Sequence, residues 1–407
     1  MTKHDIIIIG GGAAGFFAAI NAAEMDSDAK ILILERGKEV LTKVRISGGG
    51  RCNVTHAEFI PNELTKNYPR GEKELRGPFH TFMTGDTIEW FEQRGIELKI
   101  EADGRMFPIS DSSETIIDCF LQETQRLGIQ VLKNHSVQNI EKFEDTWKIA
   151  TNHGEFSAKK ILVATGSNPK IWNLLEKLGH SIEPAVPSLF TFNIKDDRIK
   201  DLPGLATNAE VKVTLKNSAD LRSEGPLLIT HWGLSGPAIL KLSAWGARQL
   251  NDVDYKFQIQ VNWVPGFTAE EILEKLTTLK FDHAKQQTSK YAQLDLPKRL
   301  WQSLVNASGI EESAIWADLN KHQLLDLKEQ LVNSTFNVNG KSTFKEEFVT
   351  AGGVNLKEVN FKTFESRITE NLFFAGEVLN IDAITGGFNF QNAWTGGYIS
   401  AKAMTSK

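Results

Sequence analysis

Ile6-Ile-Ile-Ile9-Gly10-Gly-Gly12-Ala-Ala-Gly15 opens the chain, with an apolar stretch Phe16 to Ala23 behind it and Ile31-Leu-Ile-Leu34-Glu35 after a polar break. A short apolar run, glycines, a helical stretch and a second apolar run ending on an acid are the parts that seat the ADP half of a dinucleotide. Each glycine has its own reason. Gly10 permits a tight turn, Gly12 lets backbone N–H groups approach a pyrophosphate, and Gly15 lets the helix pack closely on the strand. The N–H groups around Ala13 and Ala14 then point at the phosphates from the positive end of the helix. Glu35 follows the last glycine by about twenty residues, where a carboxylate accepts the ribose hydroxyls, with Arg36 beside it.

The distant parts of the chain favour FAD over NAD. Ile161-Leu-Val-Ala164-Thr165-Gly166-Ser167 is another apolar strand closing on glycine, and Leu372 to Ala375 runs into Gly376-Glu377. Beyond these come Asp382 and Thr385-Gly386-Gly387-Phe388-Asn389, which lead into a final helix expected to end near Met404. Paired glycines before a helix leave free N–H groups aimed at a polar or anionic group. A reduced flavin carries such charge on its pyrimidine edge. The bland alternative is a glycine turn before an amphipathic helix.

A further block, Lys43-Val-Arg-Ile-Ser47-Gly48-Gly49-Gly50-Arg51-Cys52-Asn53, joins Thr230-His-Trp-Gly-Leu-Ser-Gly-Pro237, Thr350-Ala-Gly-Gly-Val354 and the stretch from Ala375 to Gly397. Together with Gly10 to Gly15, these motifs make the chain resemble the BaiN-like and aminoacetone-oxidase-like FAD flavoproteins over nearly its whole length. The resemblance implies an α/β fold. Its FAD-binding domain is Rossmann-like and of glutathione-reductase type, interrupted by an insertion with a β-barrel-like part and a helical part. It also implies that a strand near Val137 offers backbone groups to the adenine, although the residues alone show only an alternating strand. Amine oxidation of an aminoacetone-like compound and reduction of an enone-like compound are both implied, with oxygen, NADH or NADPH as the second redox partner.

The texture of the chain divides it accordingly. Residues 1–186 carry the first part of the FAD-binding domain, including a helix over Thr115 to Leu127 and strands at Gln130 to Leu132, Val137 to Phe143, Trp147 to Thr151 and Ile161 to Val163. From Pro187, period-2 alternation in Leu189 to Ile194, Ala209 to Leu215, Pro226 to Thr230 and Tyr255 to Val261 predicts a small antiparallel barrel or sandwich over about 187–265. A helical period governs about 266–331, opening on the capping box Thr268-Ala-Glu-Glu271. Phe336 to Val338 and Phe344 return to the barrel over 332–345, and 346–407, entered at Val349 to Val354, complete the FAD-binding domain.

Composition excludes several classes. With 46 Lys and Arg against 51 Asp and Glu, the net charge of −5 gives no electrostatic drive toward nucleic acid, and no basic stripe is evident. No apolar stretch reaches the roughly twenty residues of a membrane span, so a cytoplasmic protein is expected. No His or Cys cluster has metal-ligand spacing, and no metal is expected. Of the two cysteines, Cys119 reads as a small core residue. A cation beside Cys52 would favour a redox-active thiolate, but with no CxxC partner close packing beside the cofactor is the favoured role.

Lys43, Arg45 and Arg51 bracket the glycine cradle. For Lys43 and Arg51, phosphate or flavin contact is favoured over a solvated face, whereas Arg45 fits either. No catalytic acid or base is assigned. His231 and Ser235 are candidates, and a turn defined by Gly233, Gly236 and Pro237 would set His231 at a cleft; a structural histidine is favoured over a proton shuttle. Gly104 to Pro108 resembles the family without implying a reaction. The leading expectation is an FAD-dependent oxidoreductase acting on a small organic molecule. A redox sensor without turnover and an RNA-modifying flavoprotein are the alternatives, and the oligomeric state is left open.

Overall fold

The isoleucine run forms the end of the strand Thr2–Ile9, which is hydrogen bonded in parallel on both sides. Ile6 pairs with Ile31 of the strand Ile31–Leu34 on one side, and Ile9 with Val163 of the strand Gly154–Val163 on the other. Residues Ile6 to Ile9 are at most 2% exposed, because a parallel sheet buries both of its faces. The same sheet continues through Gln130–Leu132 beyond Ile31–Leu34, and through Leu372–Phe374 beyond Gly154–Val163. The strand order therefore reverses at Thr2–Ile9, and its carboxyl end is a topological switch point where α/β sheets bind ligands.

This computed structural model describes residues 2–215, 220–343 and 349–406. The chain divides into two compact units, Met1–Val186 with Lys345–Lys407, and Pro187–Phe344. In the first unit the helix Ala13–Met25 lies against the last helix, Phe388–Thr405. A Cβ on Gly397 would stand 3.0 Å from the Ala14 carbonyl oxygen, so these helices meet backbone to backbone. Phe17 fixes the crossing, with its ring 4.6 Å from Trp90 and 5.2 Å from Trp394.

Several elements differ from the sequence reading. Ile161 to Val163 is the end of a ten-residue strand, Gly154–Val163, that forms an antiparallel meander with Val137–Phe143 and Thr146–Thr151. The helices Glu72–Phe79 and Thr84–Glu92 and the three-stranded sheet of Thr55–His56, Arg105–Pro108 and Leu98–Ile100 were not anticipated. Val349–Val354 does not join the main sheet. It pairs with Ile182–Ser188, and the main sheet is re-entered only at Leu372–Phe374.

In the second unit, seven strands run in the order Ser334–Asn339, Lys256–Asn262, Ala206–Val213, Leu221–Thr230, Gly233–Ser235, Thr191–Asn193 and Lys341–Ser342, with each neighbouring pair antiparallel. The two end strands are separated in sequence by Gly340 alone, so the sheet must curl round on itself. Gly340, at φ +101°, joins the edges: its carbonyl accepts from Asn193 N at 3.0 Å and its N–H donates to Tyr255 O at 2.9 Å. The expected strand over Leu189 to Ile194 shrinks to Thr191–Asn193, because Leu189 takes a left-handed φ of +57°. Pro237 starts an unanticipated helix, Pro237–Trp245, at the first helical position, where its missing N–H costs no bond. The helices Ala269–Asp282, Lys298–Ala307 and Lys321–Val332 pack beside the sheet around Trp301 and Trp316, and the Thr268–Glu271 capping box is formed. Phe344 lies outside the described residues.

Candidate functional site

The turn after Ile9 is tight for steric reasons. Gly10 has φ +114°, and a Cβ there would stand 2.4 Å from the Ala164 carbonyl oxygen; a Cβ on Gly15 would stand 2.1 Å from the Gly10 oxygen. At Gly12 the opposite holds, since a Cβ would meet nothing within 4 Å. The first helix begins there with no side-chain cap and no acid in its first turn, so its leading N–H groups are left to a ligand. Glu35 stands at the same mouth. Its carboxylate accepts from Gly11 N at 2.8 Å and from Gly37 N at 2.6 Å, and Arg36 beside it is exposed. Val137, 8% exposed, sits at a bulge next to the segment whose His135 N donates to the Glu35 carbonyl.

A second glycine cradle follows. The helical segment Thr42–Gly50 breaks at Ser47, Gly48 and Gly49, and Gly49 and Gly50 have left-handed φ with nothing within 4 Å of a Cβ. Ser47 closes the turn by donating to Val44 O at 2.9 Å and accepting from Cys52 N through its carbonyl at 3.0 Å. Arg51 does not face this cradle as an uncommitted cation. It pairs with Glu101 at 2.6 Å and Asp111 at 3.4 Å and lies 3.9 Å over the Phe107 ring. Cys52, for which close packing was favoured over a thiolate, is completely buried, which pushes its thiol up to about 12, and the neighbouring cation is held by Glu101. Cys119 is pushed up to about 12 as well, mainly by burial. Arg45 is likewise engaged by Glu114.

The C-terminal block meets this cradle from the other side. Asn53, with its amide oriented to satisfy both neighbours, accepts from Gly387 N at 2.9 Å and donates to Thr55 O at 3.1 Å. His56 Nδ1 is 3.0 Å from the Gly386 carbonyl, and its ring stacks on Phe388 at 4.4 Å. Thr55 donates to Gln391 at 2.6 Å, Trp394 to Val54 O at 2.8 Å, and Tyr68 to Phe388 O at 2.6 Å. Gly387, at φ +95°, caps the last helix without a side-chain bond and without an acid in the first turn. A second helix start without an acid in its first turn is thus held against the first cradle. Nearby, a Cβ on Gly376 would stand 3.3 Å from the Ala14 Cβ, and one on Gly166, beside Thr165, 3.8 Å from Glu377 Oε2, to which Lys43 Nζ donates at 2.6 Å.

Asp382 and Asn389 serve the loop itself. Asp382 is fully buried in a two-pronged ion pair with Arg70, and the Asn389 amide brackets the Ala383 backbone at 3.0 and 3.3 Å. Thr55, His56, Tyr68, Arg70 and Gln391 were missed by sequence reasoning, since nothing in the spacing of Asn67-Tyr-Pro-Arg-Gly71 marks it as a partner of a loop more than three hundred residues away. Gly104 packs on His56, where a Cβ would stand 2.6 Å from Nε2. In the second unit, Ser235 is buried and bonded to Thr191 at 2.9 Å, while His231 is exposed on a pinned turn. That turn is held by Trp232 N donating to Thr230 Oγ1 at 3.2 Å and Ile194 N donating to Trp232 O at 2.9 Å.

The open positions at Gly12, Gly49 and Gly50, the two uncapped helix starts and the carboxylate of Glu35 fit FAD. Among the described residues no group of three or more His, Cys, Asp or Glu could hold a metal ion, and no helix is long and apolar enough to cross a membrane.

Residues 4–403 match the family model described as the HI0933-like protein Rossmann domain, and the chain belongs to that family. It is 27% identical over 413 residues to the 3-dehydro-bile acid delta(4,6)-reductase of Clostridium scindens, covering 99% of this chain and 100% of that protein. It is 28% identical over 414 residues to the ribosomal RNA dihydrouridine synthase of Escherichia coli K12, covering 99% and 98%. The solved structure of a 3-ketosteroid-delta4-(5alpha)-dehydrogenase from Rhodococcus jostii RHA1 superimposes with a TM-score of 0.52 at 12% identity, covering 100% of this chain and 97% of that one, a likeness of fold. The protein is an FAD-dependent oxidoreductase.

Proposed function

We propose that this HI0933-like flavoprotein saturates a carbon–carbon double bond conjugated to a carbonyl group, using NADH or NADPH as the electron donor. The observation that carries the reading is a shared bond change: the two full-length relatives are named for different substrates, a 3-oxo bile acid and a uridine, yet both names describe reduction of such a bond. The alternative of amine oxidation has no such support among them.

Bound FAD supplies a hydride from its flavin ring. The Gly10 to Gly15 turn with Glu35 would hold the ADP half, and Lys43, Ser47 to Asn53, Ala164 to Gly166 and Gly376-Glu377 the part between. The first N–H groups of the last helix, beyond Gly386 and Gly387, would hold the pyrimidine edge and favour its negatively charged reduced form. Saturation also needs a proton on the carbon next to the carbonyl.

The test is anaerobic. The FAD-loaded protein is reduced by light with EDTA as the sacrificial electron donor and mixed with 2-cyclohexen-1-one, which should restore the oxidised flavin spectrum, while NADH or NADPH should bleach it again. Reoxidation by air but not by any enone, together with bleaching by an amine, would replace this reading by an oxidase.

A further inference from the structure

Thr350-Ala-Gly-Gly-Val354 lies in a fully buried strand, Val349–Val354, which pairs with Ile182–Ser188 outside the main sheet. Glycine weakens a strand, because it costs backbone entropy and packs no side chain, so two in succession mark a close approach of other backbone. The two glycines meet different neighbours. A Cβ on Gly352, at φ +144°, would stand 2.7 Å from Ala185 Cα and 2.8 Å from the Pro184 carbonyl oxygen, so Gly352 serves the pairing with Ile182–Ser188. A Cβ on Gly353, at φ +128°, would stand 2.5 Å from the Val378 carbonyl oxygen and 2.8 Å from the Leu379 carbonyl carbon.

The backbone that Gly353 touches is the tail of the turn Gly376–Val378. Two more contacts fasten the strand there: Val354 forms a parallel bridge with Leu379, and Asn380 N donates to Val354 O at 3.1 Å. The Val378 carbonyl is itself held, since it accepts from Trp172 Nε1 at 3.0 Å. It therefore cannot swing aside as the end of a flexible side chain would. The other parts of the turn face the first glycine unit and the second cradle. A Cβ on Gly376 would stand 3.3 Å from the Ala14 Cβ, and Glu377, next to Val378 in the chain, accepts from Lys43 at 2.6 Å.

We propose that Gly353 is a positioning residue for the flavin: its bare Cα lets the strand Val349–Val354 seat the turn Gly376–Val378 at the depth where Glu377 meets both Lys43 and the cofactor. A side chain at this position must push the Val378–Leu379 backbone, and Glu377 moves with it. The inference rests on the reading that Gly376-Glu377 touches bound FAD. Moving Glu377 loosens the Lys43 contact that balances its charge, and negative charge left near the flavin opposes formation of the anionic reduced form. Cofactor affinity and reduction potential should therefore fall together.

The experiment uses the FAD-loaded full chain and reads two quantities. FAD release on dilution is followed by flavin fluorescence, and the reduction potential by slow anaerobic reduction beside a reference dye. Gly353→Ala should weaken FAD binding about tenfold or more and lower the potential by about 30 mV, the shift that a tenfold change gives for a two-electron couple. Gly352→Ala strains the same strand by the same kind of clash but against Pro184 and Ala185. It should lose comparable stability in a denaturant titration while its FAD affinity stays within about twofold of the parent's and its potential is unchanged. Trp172→Phe adds no atom beside the turn and removes one bond to the Val378 carbonyl, so it should shift both readings in the Gly353→Ala direction, by about threefold in affinity. Equal changes in the two glycine variants, or parent affinity and potential in Gly353→Ala, would overturn the proposal. Should neither glycine variant fold, parent values in Trp172→Phe overturn it. Glu377→Gln tests the underlying reading separately. If it leaves affinity and potential untouched, Glu377 does not meet the cofactor and that reading fails; if it alters them while Gly353→Ala and Trp172→Phe do not, the role of the strand alone is wrong.

Discussion

Two helices in the first unit begin on glycine with no side-chain cap, and they are built by different means. The helix Ala13–Met25 starts from a turn whose partners are close in sequence: Gly15 lies on Gly10, and Glu35 on Gly11. The helix Phe388–Thr405 starts from a turn whose partners are far away, with Asn53, Thr55, His56, Tyr68 and Arg70 all holding it. One turn keeps open space at its approach position, Gly12. The other has none at Gly387, where a Cβ would stand 2.5 Å from the Thr55 oxygen. The same motif chemistry is thus locally assembled in one place and imposed by tertiary contacts in the other.

Glycine replacements should expose that difference most strongly. Gly387→Val forces a β-branched residue to a left-handed φ against a backbone carbonyl, and a loss of roughly 5 kcal/mol or more is expected, with no FAD retained. Gly12→Ala has room for its methyl and a negative φ of −99°, so its thermal midpoint without cofactor should be unchanged while FAD affinity falls. Calorimetry and FAD titration on both variants decide the matter. If Gly12→Ala unfolds and Gly387→Val does not, the contrast is inverted.

The ion pair behind the second turn comes next. Asp382 is 0% and Arg70 13% exposed, so Arg70→Ala leaves a buried carboxylate without that partner and should cost about 3–5 kcal/mol in a denaturant titration. Arg70→Lys should recover only part, since one ammonium cannot reproduce the two-pronged contact. Stability equal to the parent in Arg70→Ala would mean that the loop before Gly386 is held by other groups.

How much of this was readable from the sequence follows from the same contrast. Gly10, Gly15 and Glu35 announce themselves because their contacts fall within one strand–turn–helix–strand unit, whose geometry is set by local sterics. The last helix announces itself only as a glycine pair before an apolar stretch. Its partners Thr55, Tyr68 and Arg70 carry no periodicity or motif, and only the closure of the fold brings them to Gly387. Arg51 and Asp382 show the converse: both look like ligand-binding charges in sequence, and each is met by an opposite charge that spacing did not suggest. A barrel was expected in the second unit, but the joint at Gly340 was hidden, because a single residue joins strands at opposite ends of the sheet order.

At the first turn, Glu35→Ala should affect cofactor more than fold. The loss of charge-assisted hydrogen bonds of about 1.5–3 kcal/mol each predicts at least a tenfold weaker FAD complex. FMN lacks the adenosine half and should bind poorly to the parent protein as well. Equal affinity for FAD and FMN, or full affinity in Glu35→Ala, would displace the adenosine from the Gly10 to Glu35 turn.

The smallest expected effect concerns pH and falls on the tertiary side of the comparison. His180 is buried behind the strand Leu372–Phe374, with its ring 5.1 Å from Phe374, Nδ1 3.0 Å from Glu358 and Nε2 3.0 Å from Ser366. Burial lowers its pKa, outweighing the opposite pull of Glu358. The Glu358 carboxyl is itself lowered: burial would raise it, but hydrogen bonds from Ser181 and His180 prevail. Both groups therefore bind protons more readily in the unfolded chain, and stability rises with pH wherever that holds. The His180 contribution is fully present above its ordinary value of about 6.5 and is lost as pH falls from there through the lower folded value. Relative to His180→Gln, the parent protein should lose stability between neutral pH and about pH 5, with amide exchange in 356–374 rising before exchange at Gly10 to Gly15. A stability difference between the two proteins that stays constant over that range would show that His180 does not titrate with unfolding. Exchange rising first at the Gly10 turn would show that the locally built site is the weaker of the two.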